Sequence, residues 1–198
     1  RSFEIVLIGH SMGAMVINEL VMEFGDKLPS NVEFSHIVYL AAACSTRDFE
    51  RCVVPYMQKS TNAQFYNLTL HPVAERRDSY GQILARGSLL EWIDTFYTSP
   101  STVPDRVIGK AENFILSSHD VKNDIQSRVH FKMFSVAGHR SSGCSFVPNT
   151  PSDFGGGGVF PEFCENRFGP QKHAQLNDCD FWSKGYWTPR ELVPAAPK

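Results

Sequence analysis

The sequence predicts an α/β fold with a mostly parallel sheet and flanking helices. Two observations carry that expectation. Short apolar runs rich in β-branched residues alternate with amphipathic runs along the chain, and strands alternating with helices imply crossover connections. The first such run also passes into a helical pattern through a turn bounded by two glycines.

That junction comes at the start. Residues 3–8, FEIVLI, are short, partly β-branched and stopped by Gly9, which reads as a buried strand. Residues 14–24 place Met15, Ile17, Leu20, Val21 and Phe24 at helical spacing. Between them stands Gly9-His10-Ser11-Met12-Gly13. Glycines two before and two after the serine would let the strand and helix backbones crowd together, leaving Ser11 on a strained turn with its hydroxyl outward. His10 would help to shape that turn. The Met12 N–H would lie at the helix N-terminus, where it could donate to an oxyanion.

The remaining elements follow in order. Residues 36–43, HIVYLAAA, read as a second strand, and residues 48–59 as a helix. Residues 63–72 predict a third strand, stopped by Pro72. In residues 80–97 Ile83, Leu84, Leu90, Ile93 and Phe96 fall on one stripe, although Gly87 weakens its middle. A helix is expected over 104–117 and a fourth strand over 128–138. From about 139 to 170 the chain is dense in Gly, Pro and Ser and has no period, so it reads as a long irregular loop. Phe181, Trp182, Tyr186 and Trp187 suggest a short element anchored by aromatic rings.

The sequence GHSMGA, set between strand and helix, resembles the nucleophile elbow of the α/β-hydrolase superfamily in its serine esterase and lipase branch. The resemblance implies a hydrolase-type three-layer α/β/α architecture and a serine hydrolase that cleaves carboxylic esters through an acyl-enzyme. It also implies that residues 1–198 form one partial domain. In the family the elbow follows the fifth strand, so the first four strands, and the second oxyanion donor among them, have no counterpart here. The expectation is half a fold, inactive and poorly soluble when alone. The alternatives are a non-catalytic binding module of the same fold, or an acyltransferase or thioesterase with the same triad.

A serine nucleophile needs a histidine to take its proton and a carboxylate to orient that histidine. In the family's order the acid follows the serine and the histidine comes last. His36, His71, His119 and His130 lie at strand ends or in a polar loop, where histidine commonly has a structural role. His139, in SVAGHR, and His173, in HAQLNDCDFW, are the contenders, and His173 is favoured. For the acid Glu75 is favoured, a few residues past the third strand in LHPVAE. Asp48 and Asp78 remain open, and Glu75 and Asp78 also fit a solvated turn with surface ion pairs.

Composition narrows the classes. A chain of 198 residues with 42% hydrophobic and 20% charged residues can build one core. A net charge of −2 leaves no basic footprint for nucleic acid. No apolar run approaches the ~20 residues of a membrane helix. Five cysteines without C-x-x-C spacing favour unpaired thiols and a cytoplasmic setting, with one disulfide among Cys144, Cys164 and Cys179 as the alternative. No metal-ligand spacing or phosphate loop appears, so no cofactor is expected; the expected partner is a small-molecule or lipid ester. The sequon at Asn67 falls in a predicted strand, where a glycan has no room.

Overall fold

A computed structural model gives the chain's architecture. It describes residues 2–78, 87–97, 102–118, 123–134, 170, 172–177, 182 and 184–187. Four parallel strands, β1 (Phe3–His10), β2 (Val32–Leu40), β3 (Gln64–Thr69) and β4 (Val129–Met133), form one sheet in the order β1-β2-β3-β4. The chain is therefore of the α/β class. Among the described residues β1 is an edge strand, and its Phe3 and Val6 are exposed.

The strands alternate their side chains between two apolar clusters, as a period of two requires. One holds Ile37, Tyr39, Phe65, Val129 and Phe131 of the sheet, with residues of the helices α1 (Gly13–Phe24), α2 (Thr46–Lys59) and α5 (Ala111–Ser117). The other holds Val38, Leu40, Tyr66 and Leu68. Against it pack Ala74 of α3 (Pro72–Arg77), Leu90 of α4 (Leu89–Trp92), Leu176 and Trp187, the last residue of α6 (Lys184–Trp187).

Several elements differ from expectation for local reasons. The buried stripe of α1 is Ala14, Ile17, Asn18 and Val21, while Met15, Leu20 and Phe24 are exposed. Asn18 is buried because its carbonyl oxygen accepts from the Tyr39 hydroxyl of β2. Helix α2 begins two residues early: Ser45 caps it, with Asp48 closing a reciprocal capping box. The predicted third strand stops at Thr69, and the expected turn after it is the helix α3, with Pro72 at its start and His71 Nδ1 accepting from the Val73 N–H at 3.1 Å. The single stripe over 80–97 is broken at Gly87, whose φ of 120° lies outside any helix; α4 starts after it, with Ser88 as cap. Leu90 is buried, Phe96 is exposed, and Ile83 and Leu84 lie outside the described residues. The helix expected over 104–117 begins only at Ala111, and residues ahead of it bridge to Ser45 and Leu70. There a Cβ on Gly109 would stand 2.3 Å from the Ala42 backbone, so only glycine fits.

Of the aromatic residues expected to anchor the C-terminal part, Trp187 is buried between Tyr66 and His36, with centroids 4.9 and 5.3 Å away. Trp182 is exposed, and Phe181 and the Tyr186 side chain lie outside the described residues. Asn67 is fully buried in β3 and donates to the Ile108 carbonyl. Cys44 and Cys52 are free thiols, and burial pushes Cys44 up to about 12; the other three cysteines lie outside the described residues. No helix among the described residues is long and apolar enough to cross a membrane.

Candidate active site

The C-terminal ends of parallel strands are where an open α/β sheet places its ligand crevice. Ser11, Ala41–Ala43 and α3 follow the C-terminal ends of β1, β2 and β3.

Ser11 has φ of 54°, in the left-handed region that a residue with a side chain rarely occupies. Its surroundings over-determine that strain. The Ser11 N–H donates to the Leu40 carbonyl at 3.0 Å, and its own carbonyl accepts from Ala14 N–H at 3.2 Å and Ala43 N–H at 3.0 Å. A strained conformation held from three directions is what marks a functional turn. Gly9 explains the tight reversal: a Cβ there would lie 2.7 Å from the Gly13 carbonyl carbon and 2.7 Å from Ile17 Cδ1. Gly13 does not share this role, because a Cβ on it would meet nothing within 4 Å. Among the described residues the N–H groups of Met12 and Gly13 find no backbone acceptor, which leaves them free at the start of α1.

His173 opens a five-residue 3-10 stretch, His173–Asn177, and is brought to the elbow across 163 residues. His10, beside the serine, donates from Nε2 to the His173 carbonyl at 3.0 Å, and the two rings lie 4.8 Å apart. Asp78, just past α3, accepts from the His173 N–H through Oδ2 at 2.8 Å. Both Ser11 and His173 are only 8% exposed. Among the described residues neither ring nitrogen of His173 has a hydrogen-bond partner, so the imidazole is bonded neither to Ser11 nor to a described carboxylate. Catalytic hydrogen bonds are often made only once substrate is bound. Burial chiefly, and then the charge of His10, lower the His173 pKa to about 4, while the Asp78 carboxylate pulls it the other way. At neutral pH His173 is an uncharged base.

Glu75 lies one turn before Asp78 on α3 and is 1% exposed. Burial raises its pKa from 4.5 to about 7; the nearby Ser88 hydroxyl and the Lys110 charge oppose the rise. Among the described residues no donor meets either carboxylate oxygen in full hydrogen-bonding geometry, so the Ser88 hydroxyl lies close enough to oppose the rise but not to make a well-formed bond. Lys110 is itself committed to Glu91 at 2.7 Å and Asp94 at 3.4 Å. Glu75 is thus a core acid rather than part of a solvated turn, and it makes no bond to His173. Asp48 is spent on the cap of α2, where its Oδ2 accepts from the Ser45 N–H at 3.0 Å and hydroxyl at 2.8 Å. His139 lies outside the described residues. The contribution of His10 beyond its own turn is not visible in the sequence, where its one signal is its place next to the serine at the end of a strand.

Among the described residues no group of three or more His, Cys, Asp or Glu side chains is placed to hold a metal ion. Comparison of the chain with family models, curated proteins and solved structures gave no match.

Proposed function

We propose that the protein is a serine hydrolase of the α/β-hydrolase kind, with that fold's three-layer α/β/α arrangement, cleaving carboxylic esters through an acyl-enzyme. The observation that carries this reading is the strained Ser11, at the C-terminal end of a parallel strand, with a buried neutral histidine brought to the same turn. In this mechanism His173 takes the Ser11 proton as the oxygen attacks the ester carbonyl. The imidazolium then returns that proton to the leaving alkoxide, and water repeats the sequence to free the acid. The Met12 N–H, free at the start of α1, donates to the oxyanion.

The acid must be ionised to stabilise the imidazolium. Asp78 is favoured because its carboxylate touches His173 and bears on the ring's charge. Glu75, the acid expected from sequence position, is the second reading; its burial suits a core group, but a pKa near 7 leaves much of it protonated at neutral pH.

The test is reaction of the full-length protein with an alkyl fluorophosphonate and turnover of a short-chain aryl ester. Labelling at Ser11, lost in Ser11→Ala together with turnover, is expected, and removal of a triad member lowers kcat by several orders of magnitude. Asp78→Asn should lose most of the rate while Glu75→Gln keeps it; the reverse result would give the acid role to Glu75. A Ser11→Ala variant with unchanged turnover would leave a non-catalytic module of the same fold.

A further inference from the structure

We propose that His10 is a positioning residue for the base, its Nε2–H holding the main chain of His173 so that the imidazole is presented to Ser11. The chemical meaning of the proposal rests on the serine-hydrolase reading; the grip itself is a matter of geometry. His10 ends β1 and pairs in register with Leu40, so its ring springs from a sheet-paired position beside Ser11. Its Nε2 reaches the His173 carbonyl at 3.0 Å, and its ring tilts by 41° against the His173 ring at 4.8 Å. From the opposite side Asp78 accepts the N–H of the same residue. His173 is therefore gripped at its acceptor by the elbow strand and at its donor by the residue closing α3.

Among the described residues this grip does work that no other contact performs. His173 belongs to a five-residue 3-10 stretch, too short to fix a side chain by itself, and its ring nitrogens make no bond of their own. Main-chain anchoring and ring packing are what remain to hold the imidazole, and a catalytic group needs to be held within a fraction of an ångström. A carbonyl can only accept, so His10 carries its proton on Nε2. Burial lowers the pKa of His10 from the ordinary histidine range, outweighing the His173 carbonyl, which favours the charged ring. A neutral His10 holds His173 without adding a second positive charge beside the imidazolium that forms during turnover.

The experiment separates donor from ring. His10→Phe keeps a ring of similar size and removes the donor; His10→Gln removes the ring and places an amide nitrogen the same number of bonds from Cβ. In full-length protein His10→Phe should slow both Ser11 labelling by the alkyl fluorophosphonate and kcat on the aryl ester by on the order of 10- to 100-fold, with KM changed by less than about twofold. His10→Gln should recover most of that loss. Hydrogen exchange of the His173 amide should accelerate in His10→Phe and not in His10→Gln. His10→Phe matching wild type in labelling and exchange would overturn the proposal, as would equal impairment of both variants. If wild type is not labelled at Ser11, the hydrolase reading falls and amide exchange alone judges the grip: acceleration in His10→Phe upholds it, no change overturns it. Should His10→Phe fail to fold, His10→Asn, whose amide is too short to reach the carbonyl, takes its place.

Discussion

Glu75→Gln should stabilise the protein at alkaline pH and leave it nearly unchanged in acid. Glu75 is all but fully buried, its carboxylate oxygens make no well-formed hydrogen bond among the described residues, and burial raises its pKa from 4.5 to about 7. Below pH 4.5 the folded and unfolded chains both carry it protonated, and folding is not penalised. Between 4.5 and 7 the unfolded chain releases the proton while the folded chain keeps it, so stability falls as pH rises. Above 7 the whole penalty is present. A rise from 4.5 to about 7, at 1.36 kcal/mol per pH unit, corresponds to about 3 kcal/mol as an upper bound. Glutamine has nearly the same shape and remains neutral, so the variant removes this penalty and retains the cost of an unpaired polar group. Urea unfolding of both proteins at pH 4.5 and pH 8.5 measures the difference. A gain of about 1–3 kcal/mol at the higher pH, shrinking toward zero at the lower, is expected. An equal effect at both pH values, or destabilisation at pH 8.5, would show that the carboxylate has a partner in solution and that the argument from burial is wrong.

Other expectations follow from the same site and its frame. Because His173 must be neutral to accept a proton, the acid limb of fluorophosphonate labelling should fall near pH 4, well below the ordinary histidine range, with activity present above the limb and lost below it. Asp48→Ala should cost about 1 kcal/mol in thermal or urea unfolding through its lost cap and leave the labelling rate unchanged; a collapse of labelling would return Asp48 to the catalytic set. Gly9→Ala should destabilise by about 1–3 kcal/mol, measured by urea unfolding, because its Cβ meets Gly13 backbone that cannot move aside. Gly13→Ala, which meets no neighbour, should cost far less.

What could be read from the sequence was local. The strand-to-helix turn was legible because strand, Gly9 and helix lie within about twenty residues, although Gly13 proves to carry no steric role. Phe3–His10, Val32–Leu40, Gln64–Thr69 and Val129–Met133 overlap the four expected strands. Periodicity failed where backbone chemistry overrode it. Gly87 supports a left-handed turn inside an apparently continuous stripe. Pro72 ends a strand, but it also opens a helix when a capping side chain precedes it, and His71 fills that role. In α1 the apolar residues outnumber the buried positions, so the buried polar Asn18 could not be chosen without its partner Tyr39 in β2. The acid could not be chosen from spacing at all. Glu75 and Asp78 are three residues apart on one short element, and which of them meets His173 depends on a contact 95 residues away in sequence.

The sequential strand order separates the making of the sheet from the making of the site. Each strand pairs with its neighbour in the chain, so the parallel ladder can be laid down from one end, each addition closing only the loop between consecutive strands. The elbow becomes strained as soon as β1 and β2 meet, since Leu40 and Ala43 hold Ser11. His173 meets the elbow by a contact that closes a span of 163 residues, far longer than any loop between consecutive strands. Among the described residues most of both apolar clusters comes from the sheet and its flanking helices, and Leu176 and Trp187 add to one of them. On the proposed reading, a chain with its sheet formed holds Ser11 in its strained turn, and the docking of one distant turn is what brings the base to it.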